Sequence, residues 1–164
     1  MSGHAVVANT IVIEASPAAV WRTLTDPDEI ARWYMGMRIE TTWAPGEPLL
    51  ISGTIGPKRY RDRGRVLLVE PERRLAYEWL PRISGLPDAP ENYSRLTFTL
   101  APAGAGAATE LTVAHAVPPS PVRRGKGWEI GPESAEKHVA FWWRSTLPLL
   151  KAVAETAAAA TPPG

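Results

Sequence analysis

The chain has 164 residues, with 18 basic and 17 acidic side chains, a formal charge of +1 and no cysteine. That balance gives no global field for nucleic acid or an anionic membrane, and the missing thiols exclude disulfides and thiolate metal sites. No apolar run approaches the ~20 residues needed to span a bilayer, and the N-terminus lacks a signal-peptide pattern, so the expectation is a soluble cytoplasmic protein of one domain over residues 1–158 with a frayed tail at 159–164.

In chain order, residues 5–14 alternate with Ile11 and Ile13 on one face, which predicts a strand. Ser16 before Pro17 is a helix start, and Asp26, Pro27 and Glu29 repeat the device, with Glu29 placed to reach back to the cap amide. Two short helices are therefore expected, ending near Tyr34. From Arg38 the period becomes two, with Ile39, Thr41 and Trp43 on one face and Leu49 and Ile51 returning after a turn at 44–46. Residues 53–63 are polar and carry Gly and Pro, with Lys58, Arg59, Arg61 and Arg63 reading as the protective charges of an edge strand. A strand over 65–69, a turn at 70–73 and the alternating Leu75, Tyr77 and Trp79 follow. Arg65 and Glu78 are brought together by that turn, with the register open by one residue.

Residues 81–91 form a long loop. A hairpin then places Leu96, Phe98 and Leu100 against Leu111, Val113 and His115, so that His115 points inward while Thr97, Thr99 and Thr112 meet water. The loop 118–131 carries Arg123, Arg124 and Lys126, which either face solvent or attract an anion. Both long loops have the size of lids. The last helix, over 132–158, carries Val139, Trp142, Trp143, Leu147, Leu150, Val153 and Ala157 on one stripe, with Pro148 inside it. At 1.5 Å per residue it is roughly 40 Å long, and the economical partner is an antiparallel sheet curled around it.

This order of elements resembles the helix-grip fold of the START-like (SRPBCC) superfamily. The segments ASPAAVWRTLTDPDEIARWY, VLLVEPERRLAYEW and TELTVAH are similar to the branch named for activators of the heat-shock-protein-90 ATPase. The resemblance implies an α+β fold in which a seven-stranded antiparallel sheet grips the long C-terminal helix, with two short helices after strand one and a cavity between sheet and helix.

Seven tryptophans suit a roomy apolar interior. The candidate lining is Trp33, Met37, Trp43, Tyr77, Trp79, Phe98, His115, His138 and Trp142, rings that either fill the core or border a ligand. His115 is a candidate acid, base or hydrogen-bond donor, and Tyr77 a candidate donor to a carbonyl. The three histidines lack metal-ligand spacing, and no phosphate loop, dinucleotide fingerprint or nucleophile elbow occurs. No metal or cofactor is expected. The leading expectation is a module that binds a hydrophobic or amphipathic small molecule. A polyketide cyclase or dehydratase-like enzyme is the alternative, and a chaperone ATPase co-activator acting through protein contact, or a homodimer formed at an exposed strand edge, ranks after it.

Overall fold

The computed structural model describes residues 4–81, 85–119, 123–126, 128–130 and 134–160. The strands β1 (Ala5–Ile13), β2 (Arg38–Glu40), β3 (Pro48–Ile55), β4 (Lys58–Glu70), β5 (Arg74–Leu80), β6 (Ser94–Ala103) and β7 (Ala108–Val117) form one antiparallel sheet in the order β1-β7-β6-β5-β4-β3-β2. Helices α1 (Pro17–Thr25) and α2 (Pro27–Trp33) follow β1, and α3 (Ser134–Ala160) closes the chain. This is the helix-grip arrangement expected from the sequence. Among the described residues no helix is long and apolar enough to cross a membrane.

The two short helices start as their caps dictate. Ser16 Oγ accepts from the Ala19 amide at 3.2 Å, and Asp26 Oδ1 accepts from the amides of Asp28 and Glu29 at 2.9 and 3.1 Å. Glu29 does not close a capping box, because the Asp26 amide is already spent on Arg22 O at the end of α1. Its buried carboxylate instead accepts from Thr23 Oγ1 at 2.8 Å and pairs with Arg22 at 2.8 Å. The carbonyls at the end of α1 are satisfied by indoles: Trp33 Nε1 donates to Thr23 O at 2.8 Å and Trp43 Nε1 to Thr25 O at 2.9 Å.

The second of these bonds explains why β2 stops at Glu40 rather than running on to Trp43. Trp43 has a φ of 56°, outside the extended region, and Thr41 Oγ1 turns to donate to Pro48 O at 2.9 Å. The polar stretch over 53–63 forms the tip of the β3–β4 hairpin, paired from Ile55↔Lys58 to Pro48↔Arg65. Strand β4 lies between β3 and β5, but the β5 ladder reaches only to Arg63↔Leu80, so Arg63 does not guard an edge while Arg59 and Arg61 lie on the part of β4 that extends past β5. Arg65 faces Glu78 directly, although the carboxylate within ion-pair reach of a cation is Glu78 with Arg95, at 3.7 Å.

The loop expected over 118–131 contains a second, small hairpin, β8 (Arg123–Gly125) with β9 (Trp128–Ile130). The expectation for the side chains of Arg123 and Arg124 falls outside the described residues; Lys126 is exposed. Residues 82–84 of the other long loop also fall outside, and its far end is a 3-10 turn at Pro90–Asn92.

Helix α3 buries four members of the predicted stripe, Val139, Trp143, Leu147 and Leu150, with Thr146 and Ala154 beside them, while Trp142, Val153 and Ala157 are half-buried. Pro148 lies inside the helix. Both Pro148 and Arg144, whose carbonyl loses its amide partner, sit on the exposed side, where the carbonyl is open to solvent. The far half of α3 is fastened to the end of β1. There Lys151 Nζ donates to Val12 O at 3.1 Å and to the Glu155 carboxylate, which also accepts from the Glu14 amide at 2.7 Å. The helix continues to Ala160, and the tail beyond it lies outside the described residues.

Candidate functional site

Alternation along three adjacent strands builds the inner face of the sheet. Tyr77, Leu96 and His115 form one cross-strand row, and Leu75, Phe98 and Val113 the next. All six are buried. Trp79, one inward position beyond Tyr77, lies 5.7 Å from its ring and 5.2 Å from the His115 ring. Two glycines on the hairpin side let neighbouring atoms approach where a side chain would stand. A Cβ on Gly53 would stand 2.5 Å from the Tyr60 hydroxyl, and one on Gly64 would stand 1.9 Å from the Glu78 carbonyl oxygen. Glycine is therefore required at 64 by the backbone of β5 itself.

The helices close over this face with more rings. Trp33 stacks on Tyr34 at 4.6 Å and meets Phe98 edge-on at 6.4 Å. Trp143 meets Phe98 edge-on at 6.0 Å. The half-buried rings complete the rim: Trp43 at 5.9 Å from Tyr77, and Trp142 at 5.7 Å from Tyr34. These separations are those of favourable tilted and edge-to-face pairs. Met37 is half-buried against the same cluster. His138 is exposed on α3 and does not join it. Eight of the nine residues predicted for the lining thus gather in or beside one ring cluster.

The bond that organises the polar chemistry runs from Trp143 Nε1 to His115 Nδ1, at 3.0 Å. An indole N–H can only donate, so Nδ1 must accept, and the neutral imidazole carries its proton on Nε2. Burial holds the imidazole down at about 4 against an ordinary 6.5, so the ring is neutral at physiological pH. A neutral ring with Nε2 protonated has no free lone pair with which to accept a proton. It is a hydrogen-bond donor, and the described residues supply no acceptor for Nε2.

Trp143 was on the predicted stripe but not in the predicted lining. Adjacent tryptophans at 142 and 143 differ by 100° around the helix, and periodicity alone does not say which one meets the histidine. Tyr34, Tyr60 and Asp62 were missed as well. Asp62 is buried on the inner face of β4, two residues from Tyr60. Burial, then Tyr60 and the Asp62 carboxylate, push the Tyr34 phenol well up. Burial and then Tyr34 do the same to Tyr77, and burial followed by Asp62 raises Tyr60. These phenols stay protonated and serve as neutral donors or acceptors. The sequence signal was available in the alternation of Tyr60, Asp62 and Gly64 with Arg59, Arg61 and Arg63, which puts the first set inward. Among the described residues no group of three His, Asp or Glu side chains is placed to hold a metal ion.

Comparison with known proteins agrees with this architecture. The solution structure of ChR145 from Cytophaga hutchinsonii superimposes with a TM-score of 0.71 at 26% identity, covering 95% of this chain and 97% of that one. CalU16 from Micromonospora echinospora gives 0.65 at 22% identity, over 90% of this chain and 73% of its own. DynU16, a protein of the dynemicin biosynthetic locus, gives 0.63 at 24% identity, over 93% of this chain and 48% of its own. No curated protein matches the sequence. The sequence model of the Activator of Hsp90 ATPase homolog 1-like proteins matches residues 14–155, and the chain belongs to that family.

Proposed function

We propose that the protein binds a hydrophobic or amphipathic small molecule between the inner face of the sheet and α3, and that a carbonyl or similar acceptor on the ligand receives the His115 Nε2–H. The observation that carries this reading is the Trp143 to His115 hydrogen bond, which fixes a neutral donor inside a wall of aromatic rings. Sites for apolar ligands combine such walls with a few placed polar groups. Native mass spectrometry of freshly purified protein tests it. A stoichiometric apolar compound released on denaturation is expected. Apo protein alone, together with no thermal stabilisation by a panel of hydrophobic carbonyl compounds, contradicts the proposal.

A second reading, a polyketide cyclase or dehydratase-like enzyme, is favoured by the likeness to DynU16 and its biosynthetic locus. In it His115 does not shuttle protons, as the sequence alone allowed. Its Nε2–H stabilises negative charge developing on a substrate carbonyl, the part played by neutral preorganised donors in other sites. The Tyr77 phenol, held protonated by burial, is the second donor. If His115→Gln turns over a synthetic poly-β-carbonyl compound as fast as the parent does, His115 has no such role.

A further inference from the structure

The outer face of β4 carries a feature the binding site does not use. Arg59, Arg61, Arg63 and Arg65 occupy successive outward positions, all exposed, and Arg38 joins them through the row Arg38↔Ser52↔Arg61. Edge protection accounts at most for Arg59 and Arg61, which lie on the part of β4 beyond the β5 ladder; Arg63 and Arg65 have β3 on one side and β5 on the other. Arg63 has one carboxylate in reach, Asp88 at 3.6 Å, itself bonded by the Tyr93 hydroxyl at 2.8 Å. Among the described residues Arg59, Arg61 and Arg65 have no ion-pair partner. Beside them opens a groove of about 490 Å³, lined by Arg63, Arg65, Glu40, Pro48, Leu50 and Tyr93 among others.

We infer that this face docks an extended acidic peptide, its carboxylates paired with the arginine row and an apolar side chain seated in the groove between Pro48, Leu50 and Tyr93. Alternate residues of a strand are about 6.8 Å apart, so the four arginines span roughly 20 Å. An extended polypeptide with acidic residues at alternate positions repeats at the same distance, and arginine forks match carboxylates in bidentate geometry. The same charges attract a nucleic-acid strand, but non-specific single-strand sites add aromatic stacking platforms. The outward neighbours on β3 are Leu50, Ser52 and Thr54, and the Tyr93 ring is tied to Asp88. The whole chain is also nearly neutral, at +1.

The test is fluorescence anisotropy of the full chain with a labelled peptide of alternating glutamate and threonine ending in one leucine for the groove, about eight residues long to match the row. A single-stranded oligonucleotide of equal charge runs in parallel. Binding that weakens with added salt is expected, with a loss of roughly tenfold in Arg61→Gln/Arg65→Gln. Circular dichroism and thermal melting of that variant should match the parent, because both side chains are exposed. The inference is overturned if the peptide does not bind, if the double variant binds it equally well, or if the oligonucleotide binds more tightly than the peptide.

Discussion

The two faces of strand β4 have opposite constructions from one alternating sequence. Inward go Tyr60, Asp62, Gly64 and Val66; outward go Arg59, Arg61, Arg63 and Arg65. Inside, neighbours determine each position: Gly64 lies under the Glu78 carbonyl, Tyr60 lies across Gly53, and Asp62 is buried near two phenols. Outside, the arginines are exposed, with Asp88 in ion-pair reach of Arg63, and Arg59, Arg61 and Arg65 can change without disturbing the rest. Stability therefore resides on the inner face, while the outer face is free to serve recognition.

Substitutions can break that comparison, and the largest effect belongs to Gly64→Ala. A methyl group 1.9 Å from a backbone oxygen forces β4 and β5 apart, with an expected loss of at least about 3 kcal/mol, or roughly 10 °C in Tm, read by thermal melting. A variant that melts with the parent would show the inner face to be far more pliable than described.

Next comes His115→Phe. It leaves the Trp143 indole N–H without its acceptor, at a cost of about 1–3 kcal/mol near neutral pH. The pH profile sharpens the point. Since the native imidazole is held at about 4 and the unfolded one is near 6.5, the unfolded chain takes up the proton first as pH falls. Stability due to this group is complete above 6.5 and is lost on the way down to about 4, by up to roughly 3 kcal/mol. Denaturant melts across that window should slope for the parent and lie flatter for His115→Phe. Equal slopes would mean that another group is responsible.

Smaller still is Tyr77→Phe. The phenol has no hydrogen-bond partner among the described residues, so removing its oxygen should leave stability within about 0.5 kcal/mol. Loss of ligand affinity without loss of stability would place that hydroxyl against the bound molecule. The smallest effect is expected for Arg61→Gln, within about 0.5 kcal/mol by denaturant melts, which would confirm that the outer face contributes little to the fold.

The sequence made the fold readable because strong local signals agreed. Ser16-Pro17 and Asp26-Pro27 start helices, the period of two marks β5 to β7, and the stripe from Val139 to Ala157 marks α3. It misled where a side chain made a distant bond. The reach of Trp43 to Thr25 ended β2 early, and donation of the Asp26 amide to Arg22 O sent Glu29 to Thr23 and Arg22. The arginine run suggested an edge because charge is a common guard there, and this fits Arg59 and Arg61, beyond the end of the β5 ladder, but not Arg63, which is paired on both sides, because strand order depends on pairing across the whole chain. At the site, the alternation of Leu111, Val113 and His115 placed the histidine inside, but its partner depended on the angular position of Trp143. That partner determines the tautomer, and with it whether His115 gives or takes a hydrogen bond.

The protonation of His115 is therefore the most direct test. Imidazole nitrogen shifts in ¹⁵N-labelled protein, followed by NMR from neutral to acidic pH, report which ring nitrogen carries the proton and where the ring titrates. The structure predicts Nε2 protonated and Nδ1 bare at neutral pH, with a midpoint near 4. A proton on Nδ1, or a midpoint near the ordinary 6.5, would contradict the neutral donor on which the proposed binding site depends.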